Sequence, residues 1–375
     1  YNFLIDGGGN KSSFSKLFLK YIKTRKLDVV VCTHNDEDHA NGIIDIIENK
    51  SVSIDEIWLP ATWSWRFRDI IIRPDDFFNE LVQNIVDFDK SYHGKNLDDV
   101  YISICDNIYR IRSEENKIIY YPEEIIHFDT YEWVYNIIKF SYDQQLDDIV
   151  CKYHYLEHVL KHNYILLREC LLAASRIKKI FIAAVKAHMR IRLFEFVTDV
   201  QKISGGLPGL LEPVNSQEII PYNNPKKFIN YANSNTIQAL YFLALTKTNK
   251  ESLVFYSPEQ TTCPGVLFTA DSDLAYGLTH IKQPSKDLIA TAPHHGSEAN
   301  ASIYKKVNQW AATQKIIWVR SDNHSKKRPG KTFKSQPTRL CTLCNPPILP
   351  KQCIEINCYG SGWKVTPNTR LCSCQ

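Results

Sequence analysis

A buried strand that leads into a polar loop is the feature that most constrains the fold of this chain. Residues 27–32 form an apolar run rich in valine, which is typical of a strand covered on both faces. The run is followed by Thr33-His34-Asn35-Asp36-Glu37-Asp38-His39, and the apolar pair Ile43-Ile44 then begins a helix. Because α/β proteins carry their chemistry on strand-to-helix loops, the segment predicts a mixed α/β fold with a site here.

Short apolar runs return near the other end of the sequence and have the same character. They are residues 252–255, 266–269, 287–290 and 315–319. Three of them lead into loops that contain histidine or aspartate: Asp271 and Asp273, then His294 and His295, then Asp322 and His324. Four strand ends, counting the first loop, therefore offer imidazole or carboxylate groups.

The middle of the chain has a different pattern. Helical periodicity dominates residues 67–88 and 131–197, and the apolar positions there are typical of core-facing stripes. A chain of 375 residues with 44% hydrophobic content is long for one domain. We predict a catalytic domain formed by residues 1–62 and 236–375, with a mainly helical insertion at residues 63–235.

The first polar loop suits a divalent metal ion, which prefers nitrogen and oxygen donors that converge from a rigid strand end. Taken alone, the loop is also compatible with a solvated acidic turn. The order of the motifs favours the metal. The segment from His34 to His39 resembles the H-x-H-x-D-H signature of the metallo-β-lactamase superfamily, and Asp6-Gly7-Gly8 precedes it at the expected distance.

Two later motifs extend the resemblance. Phe268-Thr269-Ala270-Asp271 resembles the family's strand that ends in a metal-bridging aspartate. Pro293-His294-His295-Gly296-Ser297 resembles an element of the ComEC-type competence proteins. The similarity covers about residues 1–62 and 250–365. It implies an α/β fold, the four-layer αββα sandwich, interrupted by the helical insertion.

The resemblance also implies a set of site residues around two divalent ions. His34 and Asp36 would face one ion, Asp38 and His39 the second, Asp271 would bridge them, and His295 would complete the second site. Asp38 would also orient the attacking water, and His294 would act in catalysis, contact the substrate or replace His295 as ligand.

The sequence departs from the family pattern at two points. Asp36 stands where the signature has its second histidine. No residue is an obvious match for the family's isolated middle histidine, for which the inserted helices offer His154, His158, His162 and His188. An oxygen-rich ligand set favours Mn or Mg over Zn, so the identity of the ions stays open.

The implied reaction is hydrolysis by a metal-activated water, most readily of a phosphodiester in nucleic acid. A formal net charge of +4 is compatible with a phosphate-bearing substrate but does not establish one. A cationic loop after the fourth strand end would bind phosphate together with His324, and the same loop is also compatible with a solvated surface. Its residues are Arg320, Lys326, Lys327, Arg328, Lys331 and Lys334. Two alternatives stay open. One is a nucleotide or small-ester hydrolase, and the other is a degenerate metal-binding scaffold that recruits a protein partner through the helical insertion.

The eleven cysteines bear on environment and on a second metal site. Isolated thiols in apolar runs favour a reducing cytosol. The most apolar helical stretch, residues 177–185, contains or adjoins three lysines, so we expect a cytoplasmic protein without membrane contact. Cys341, Cys344, Cys353 and Cys358 are candidates for a structural zinc site, with ordinary buried thiols as the alternative. Cys372 and Cys374 are interpreted as tail residues.

Overall fold

A computed structural model describes residues 1–9, 12–91, 164–220, 238–275, 277–322, 327–344, 353–359, 362–366 and 371–374. The chain divides into two compact units. The first comprises Tyr1–Leu193 and Ile219–Thr248, and the second comprises Phe194–Glu218 and Asn249–Gln375. Within the described part, several β-sheets and eight α-helices confirm the predicted mixed α/β class.

The regular elements have the following bounds. The strands are β1 (Phe3–Ile5), β2 (Lys26–Val31), β3 (Ser53–Pro60), β4 (Arg190–Phe196), β5 (Glu212–Pro213), β6 (Ser216–Ile220), β7 (Phe255–Ser257), β8 (Val266–Phe268), β9 (Leu288–Thr291), β10 (Ile316–Arg320), β11 (Arg339–Cys341), β12 (Ile356–Tyr359) and β13 (Gly362–Val365). The helices are α1 (Phe14–Tyr21), α2 (Glu37–Asn49), α3 (Phe67–Ile72), α4 (Pro74–Ser91), α5 (Tyr164–Lys186), α6 (Ala239–Thr246), α7 (Ala301–Ala311) and α8 (Lys331–Lys334).

One sheet contains five strands in the order β1-β2-β3-β4-β6. Strands β1, β2 and β3 pair in parallel, so their carboxyl ends lie at the same edge. Helix α2 buries Ala40, Ile43, Ile46 and Ile47, whose spacing places them on one helical face. The loop after β2 is thus fixed at one end by a buried strand and at the other by a packed helix.

The turn after β1 packs closely against helix α2, where Gly7 meets Gly42. The Gly7 N–H donates to His39 O at 2.8 Å, and the Gly42 N–H donates to Gly8 O at 2.9 Å. A Cβ on Gly42 would lie 1.9 Å from Gly7 O, which is too close for any side chain at this position. Glycine at position 42 therefore permits the turn at Asp6 to approach the first turn of α2.

The second unit contains a sheet of six strands in the order β11-β10-β9-β8-β7-β5. Strands β8, β9, β10 and β11 pair in parallel, whereas β7 is antiparallel to both of its neighbours. The carboxyl ends of the four parallel strands share one edge. The loops that begin there contain Asp271 after β8, His294 and His295 after β9, Asp322 after β10, and Cys344 after β11.

Two predicted elements were wrong. The helical pattern assigned to residues 131–197 ends earlier, because β4 occupies Arg190–Phe196, where charged and apolar residues alternate. The run 252–255 becomes a strand only at Phe255, because the Asn215 side chain accepts the Val254 N–H at 2.9 Å and donates to Ser252 O at 2.8 Å. One amide side chain thus occupies backbone groups that a strand would have paired.

The insertion at residues 63–235 stays a prediction, since 92–163 and 221–237 lie outside the described residues. Its described parts contain helices α3, α4 and α5 and also the strands β4, β5 and β6. None of the helices that the structure describes combines the length and the apolar character needed to cross a membrane.

Candidate metal centre

Four of the predicted ligands lie together in the first unit, on the loop after β2 and the first turn of α2. His34 and His39 are buried, and their ring centroids are 4.1 Å apart. His34 Nε2 lies 3.8 Å from Asp36 Oδ2, and His39 Nε2 lies 3.9 Å from Asp38 Oδ1. In both histidines, Nε2 is therefore the ring nitrogen that lies close to a carboxylate.

Asp6 determines which ring nitrogen of His39 carries the proton. Asp6 Oδ2 lies 2.7 Å from His39 Nδ1, and Asp6 Oδ1 accepts the Thr33 N–H at 2.8 Å. Because an ionised carboxylate can only accept, Nδ1 of His39 is the donor and Nε2 retains its lone pair. A histidine that donates from one nitrogen to a carboxylate while the other faces the ion is typical of metal sites.

The same carboxylate sets the tautomer of His34 through Thr33. The Thr33 hydroxyl donates to Asp6 Oδ2 at 2.8 Å, so its oxygen is left to accept. His34 Nδ1 lies 3.0 Å from that oxygen and supplies the proton. Nε2 of His34 therefore also retains its lone pair, and Asp6 orients both histidines. Sequence reasoning used Asp6 only as part of a motif and did not predict this role.

Asn35, between the ligands, anchors the loop to two helices of the same unit. Its N–H donates to Thr246 O at 3.0 Å, and its Nδ2 donates to Ala173 O at 3.0 Å. The buried Arg176 guanidinium donates to Asn35 O at 2.9 Å and to Asn35 Oδ1 at 3.1 Å. Burial lowers the pKa of Arg176, while the negative charge of Asp36 opposes that shift. The sequence separation of these partners left no signal by which to predict them.

The second unit holds the other predicted ligands on neighbouring strand ends. Asp271 and His295 are buried, and His294 is partly exposed. His295 Nδ1 lies 2.8 Å from Ser321 O. A carbonyl oxygen only accepts, so His295 donates from Nδ1 and retains its lone pair on Nε2. His294 Nε2 lies 3.7 Å from Asp271 Oδ2.

The backbone of the His294-His295 loop is strained. His294 and His295 have φ angles of 44° and 53°, a left-handed conformation that costs roughly 1–2 kcal/mol per residue for side chains with a Cβ. Two hydrogen bonds stabilise it: the His294 N–H donates to Ala270 O at 3.0 Å, and Arg320 Nε donates to His295 O at 2.7 Å. Strain maintained in this way is typical of functional loops.

Asn300 joins this loop to the loop of Asp271. Its Nδ2 donates to the backbone oxygens of Asp271 at 3.2 Å and Ser272 at 3.0 Å. His294 Nδ1 lies 3.3 Å from Asn300 Oδ1 and 3.3 Å from Asn249 Nδ2. The position of the His294 ring is therefore fixed by amide side chains that the sequence pattern did not single out.

The side-chain types of these residues are those that bind divalent metal ions. Three imidazoles present Nε2, and Asp271 supplies a buried carboxylate. Asp36 Oδ1 is buried and accepts no hydrogen bond within the part of the chain that the structure describes. Imidazole suits Zn, while additional carboxylates also accommodate Mn.

The comparison with known families agrees with this donor set. Residues 1–111 match the family model of the metallo-beta-lactamase superfamily. This superfamily consists largely of metal-dependent hydrolases, so the match indicates that class of activity. The matched segment includes His34 and His39 but ends before Asp271. A search of curated proteins and a search of solved structures gave no match, and the ComEC-type branch of the superfamily receives no support.

The substrate residues predicted on the cationic loop after the fourth strand end are only partly described. Lys327 is exposed, whereas Arg328 pairs with the buried Asp322 at 3.1 Å. Asp322 also accepts a hydrogen bond from Arg320, so part of the positive charge of the loop is neutralised.

His188, one candidate for the family's missing middle histidine, is exposed after α5. The other predicted residues, His154, His158, His162, His324 and Lys326, lie outside the described residues.

The predicted cysteine set needs a correction. Cys353 is exposed, and Cys358 Sγ donates to Thr262 O at 3.0 Å. Instead, the structure groups the thiols of Cys341, Cys344, Cys372 and Cys374. The error arose because the last two cysteines were interpreted as a tail, although the Cys372 N–H donates to Arg339 O on the edge of the sheet.

Proposed function

We propose that this protein is a metal-dependent phosphodiesterase that cleaves nucleic acid. The observation that carries the proposal is the common tautomer of three histidines. Asp6, Thr33 and the Ser321 carbonyl each hold an Nδ1 proton, so His34, His39 and His295 all present Nε2. A histidine that binds a metal through Nε2 needs that arrangement, whereas incidental surface histidines do not.

We propose that the two ligand sets bind the same pair of divalent ions. The first set is His34, Asp36, Asp38 and His39, and the second is Asp271 and His295. Ions bound there would supply an activated water nucleophile and offset the negative charge that develops on the phosphate.

Asp38 of the first set and His294, which directly precedes His295 of the second set, are suited to the reaction itself. The Asp38 side chain is 37% exposed, so its carboxylate can reach a water molecule and orient it for attack. His294 is 31% exposed, and its ring is fixed by amide contacts, so we assign it to holding the substrate.

Exposed lysines that follow the second ligand set in the sequence favour a phosphodiester over a neutral ester as the substrate. Lys327 and Lys331 are exposed on the segment that follows β10, and Gly330 N–H donates to Gly296 O at 2.8 Å beside the His295 loop. Cations near the reacting group would hold the phosphate backbone of a nucleic acid.

A metal and substrate survey of the purified protein tests the proposal. We expect about two tightly bound divalent ions at the proposed centre, and cleavage of single-stranded DNA, duplex DNA, RNA or a generic phosphodiester with Mn²⁺, Zn²⁺ or Mg²⁺. Binding of metal without cleavage of any of these would refute the phosphodiesterase and favour a small-ester hydrolase. Absence of both would favour the degenerate scaffold that recruits a protein partner.

The contribution of Lys327 is tested separately. We expect Lys327→Ala to weaken binding of nucleic acid at low salt and to lower the slope of log K against log salt by about one. Lys305→Ala, an equal change of charge at an exposed position of α7, is the matched control and should leave the slope unchanged. Equal slopes for both variants and the parent would exclude Lys327 from the substrate site.

A further inference from the structure

Four cysteines at the edge of the second sheet form a group outside the proposed catalytic centre. Cys341 ends β11, and Cys344 follows it after a tight turn in which the Cys344 N–H reaches Cys341 O at 3.4 Å. The segment 371–374 returns antiparallel to β11 through a bridge between Leu340 and Leu371. This return places the thiols of Cys372 and Cys374 beside the first pair.

The spacing of the four thiols suits one metal ion. The Cys344 sulfur lies 3.6 Å from that of Cys372 and 3.2 Å from that of Cys374, and the sulfurs of Cys374 and Cys341 are 4.0 Å apart. All four sulfurs lie within 4.8 Å of one another. Four sulfurs bound tetrahedrally to one zinc at about 2.3 Å would be about 3.8 Å apart.

The surroundings of the thiols are suited to a thiolate cluster. Cys341 and Cys372 are buried in the apolar core of the unit, which excludes water from the sulfurs. Arg320, which is 1% exposed, directs Nη1 to Cys341 Sγ at 3.1 Å and to Cys374 Sγ at 3.9 Å. The Leu343 N–H donates to Cys341 Sγ at 3.4 Å. A cation and a backbone donor stabilise the negative charge that zinc-bound thiolates carry.

We propose that Cys341, Cys344, Cys372 and Cys374 bind a structural zinc ion. The ion would fasten residues 371–374 to the edge strand β11. All four protein ligands are sulfurs, which closes the coordination sphere to water and is typical of a structural rather than a catalytic site.

The zinc site would also influence the His294-His295 loop through Arg320. One end of this side chain donates to the thiols, and its Nε donates to His295 O at 2.7 Å. Because His295 has a left-handed backbone, the hydrogen bond from Arg320 helps to retain that conformation. The zinc site itself does not depend on the proposed phosphodiesterase activity.

Zinc content of paired variants tests the proposal. We expect Cys372→Ser with Cys374→Ser to lose about one zinc per chain relative to the parent. Cys353→Ser, at an exposed cysteine outside the group, is the matched control and should retain it. The variant Asp271→Asn should keep this zinc even where it loses metal from the proposed catalytic centre, which separates the two sites.

Cobalt substitution of the parent protein gives a second readout that does not depend on a variant's folding. We expect an intense thiolate-to-cobalt charge-transfer absorption, which a site of imidazole and carboxylate ligands lacks, and we expect the Asp271→Asn protein to show it too. Absence of this absorption, or a Cys344–Cys374 disulfide found by mass spectrometry of freshly purified protein, would overturn the zinc assignment.

Discussion

Asp271→Asn should lower turnover at least about a hundredfold, a loss of roughly 2.7 kcal/mol of transition-state stabilisation. Asp271 is buried on the loop after β8, and in the proposed centre its carboxylate would be shared by both ions. Asparagine keeps the shape and removes the charge, so two like-charged ions lose their common counter-charge and metal occupancy falls. Metal content and initial rates on a phosphodiester substrate are the measurements.

The neighbouring Asp273 provides the matched control for this prediction. It lies on the same loop, and Asp273→Asn makes the same chemical change without touching the proposed ligand set. We expect this control to retain metal and activity. If Asp271→Asn were to keep both its metal and its turnover while remaining folded, Asp271 would not be a ligand and the proposed centre would be wrong.

Asp6→Asn should weaken metal binding by about 10- to 100-fold. The Asp6 carboxylate serves His39 Nδ1, the Thr33 N–H and the Thr33 hydroxyl, whereas an asparagine offers only one acceptor oxygen. At least one of the three donors therefore loses its partner, and the orientation of both histidines is less well fixed. Asparagine also tolerates the φ of 60° at this position, so the backbone should be retained.

Titration of each apoprotein with Zn²⁺ or Mn²⁺ measures its metal affinity. Thermal unfolding of each variant shows whether the fold is retained. Asp28→Asn is the control, because its carboxylate accepts the Asn2 N–H and contacts neither histidine. We expect the control to bind metal like the parent. An Asp6→Asn protein with unchanged affinity would show that His34 and His39 do not need Asp6 to present Nε2.

The sequence predicted the strands that carry the site with small errors in their bounds. Residues 27–32, 266–269 and 315–319 correspond to β2, β8 and β10, since continuous apolar runs are a strong signal for buried strands. The strand prediction was wrong at residues 252–254, where hydrogen bonds to the Asn215 side chain take the place of strand pairing. Periodicity cannot reveal such competition, because the partner lies 39 positions from Val254.

The candidate ligands could be named from sequence because the polar residues directly follow buried strands. Their tautomers could not, since each is set by a partner elsewhere in the chain: Asp6 is 33 positions from His39, and Ser321 is 26 positions from His295. The anchoring of Asn35 by Arg176 spans 141 positions. These are single hydrogen bonds between distant residues, which leave no periodic pattern.

The sequence by itself determined which polar residues follow each strand, because local hydrophobic patterning shows where a strand stops and a loop begins. Only the tertiary structure decided which cysteines group together. Cys344 and Cys374 are 30 positions apart, and their sulfurs meet because residues 371–374 pair back onto β11. The physical reason is that a backbone return of this kind depends on the edge of a completed sheet, which no short stretch of sequence contains.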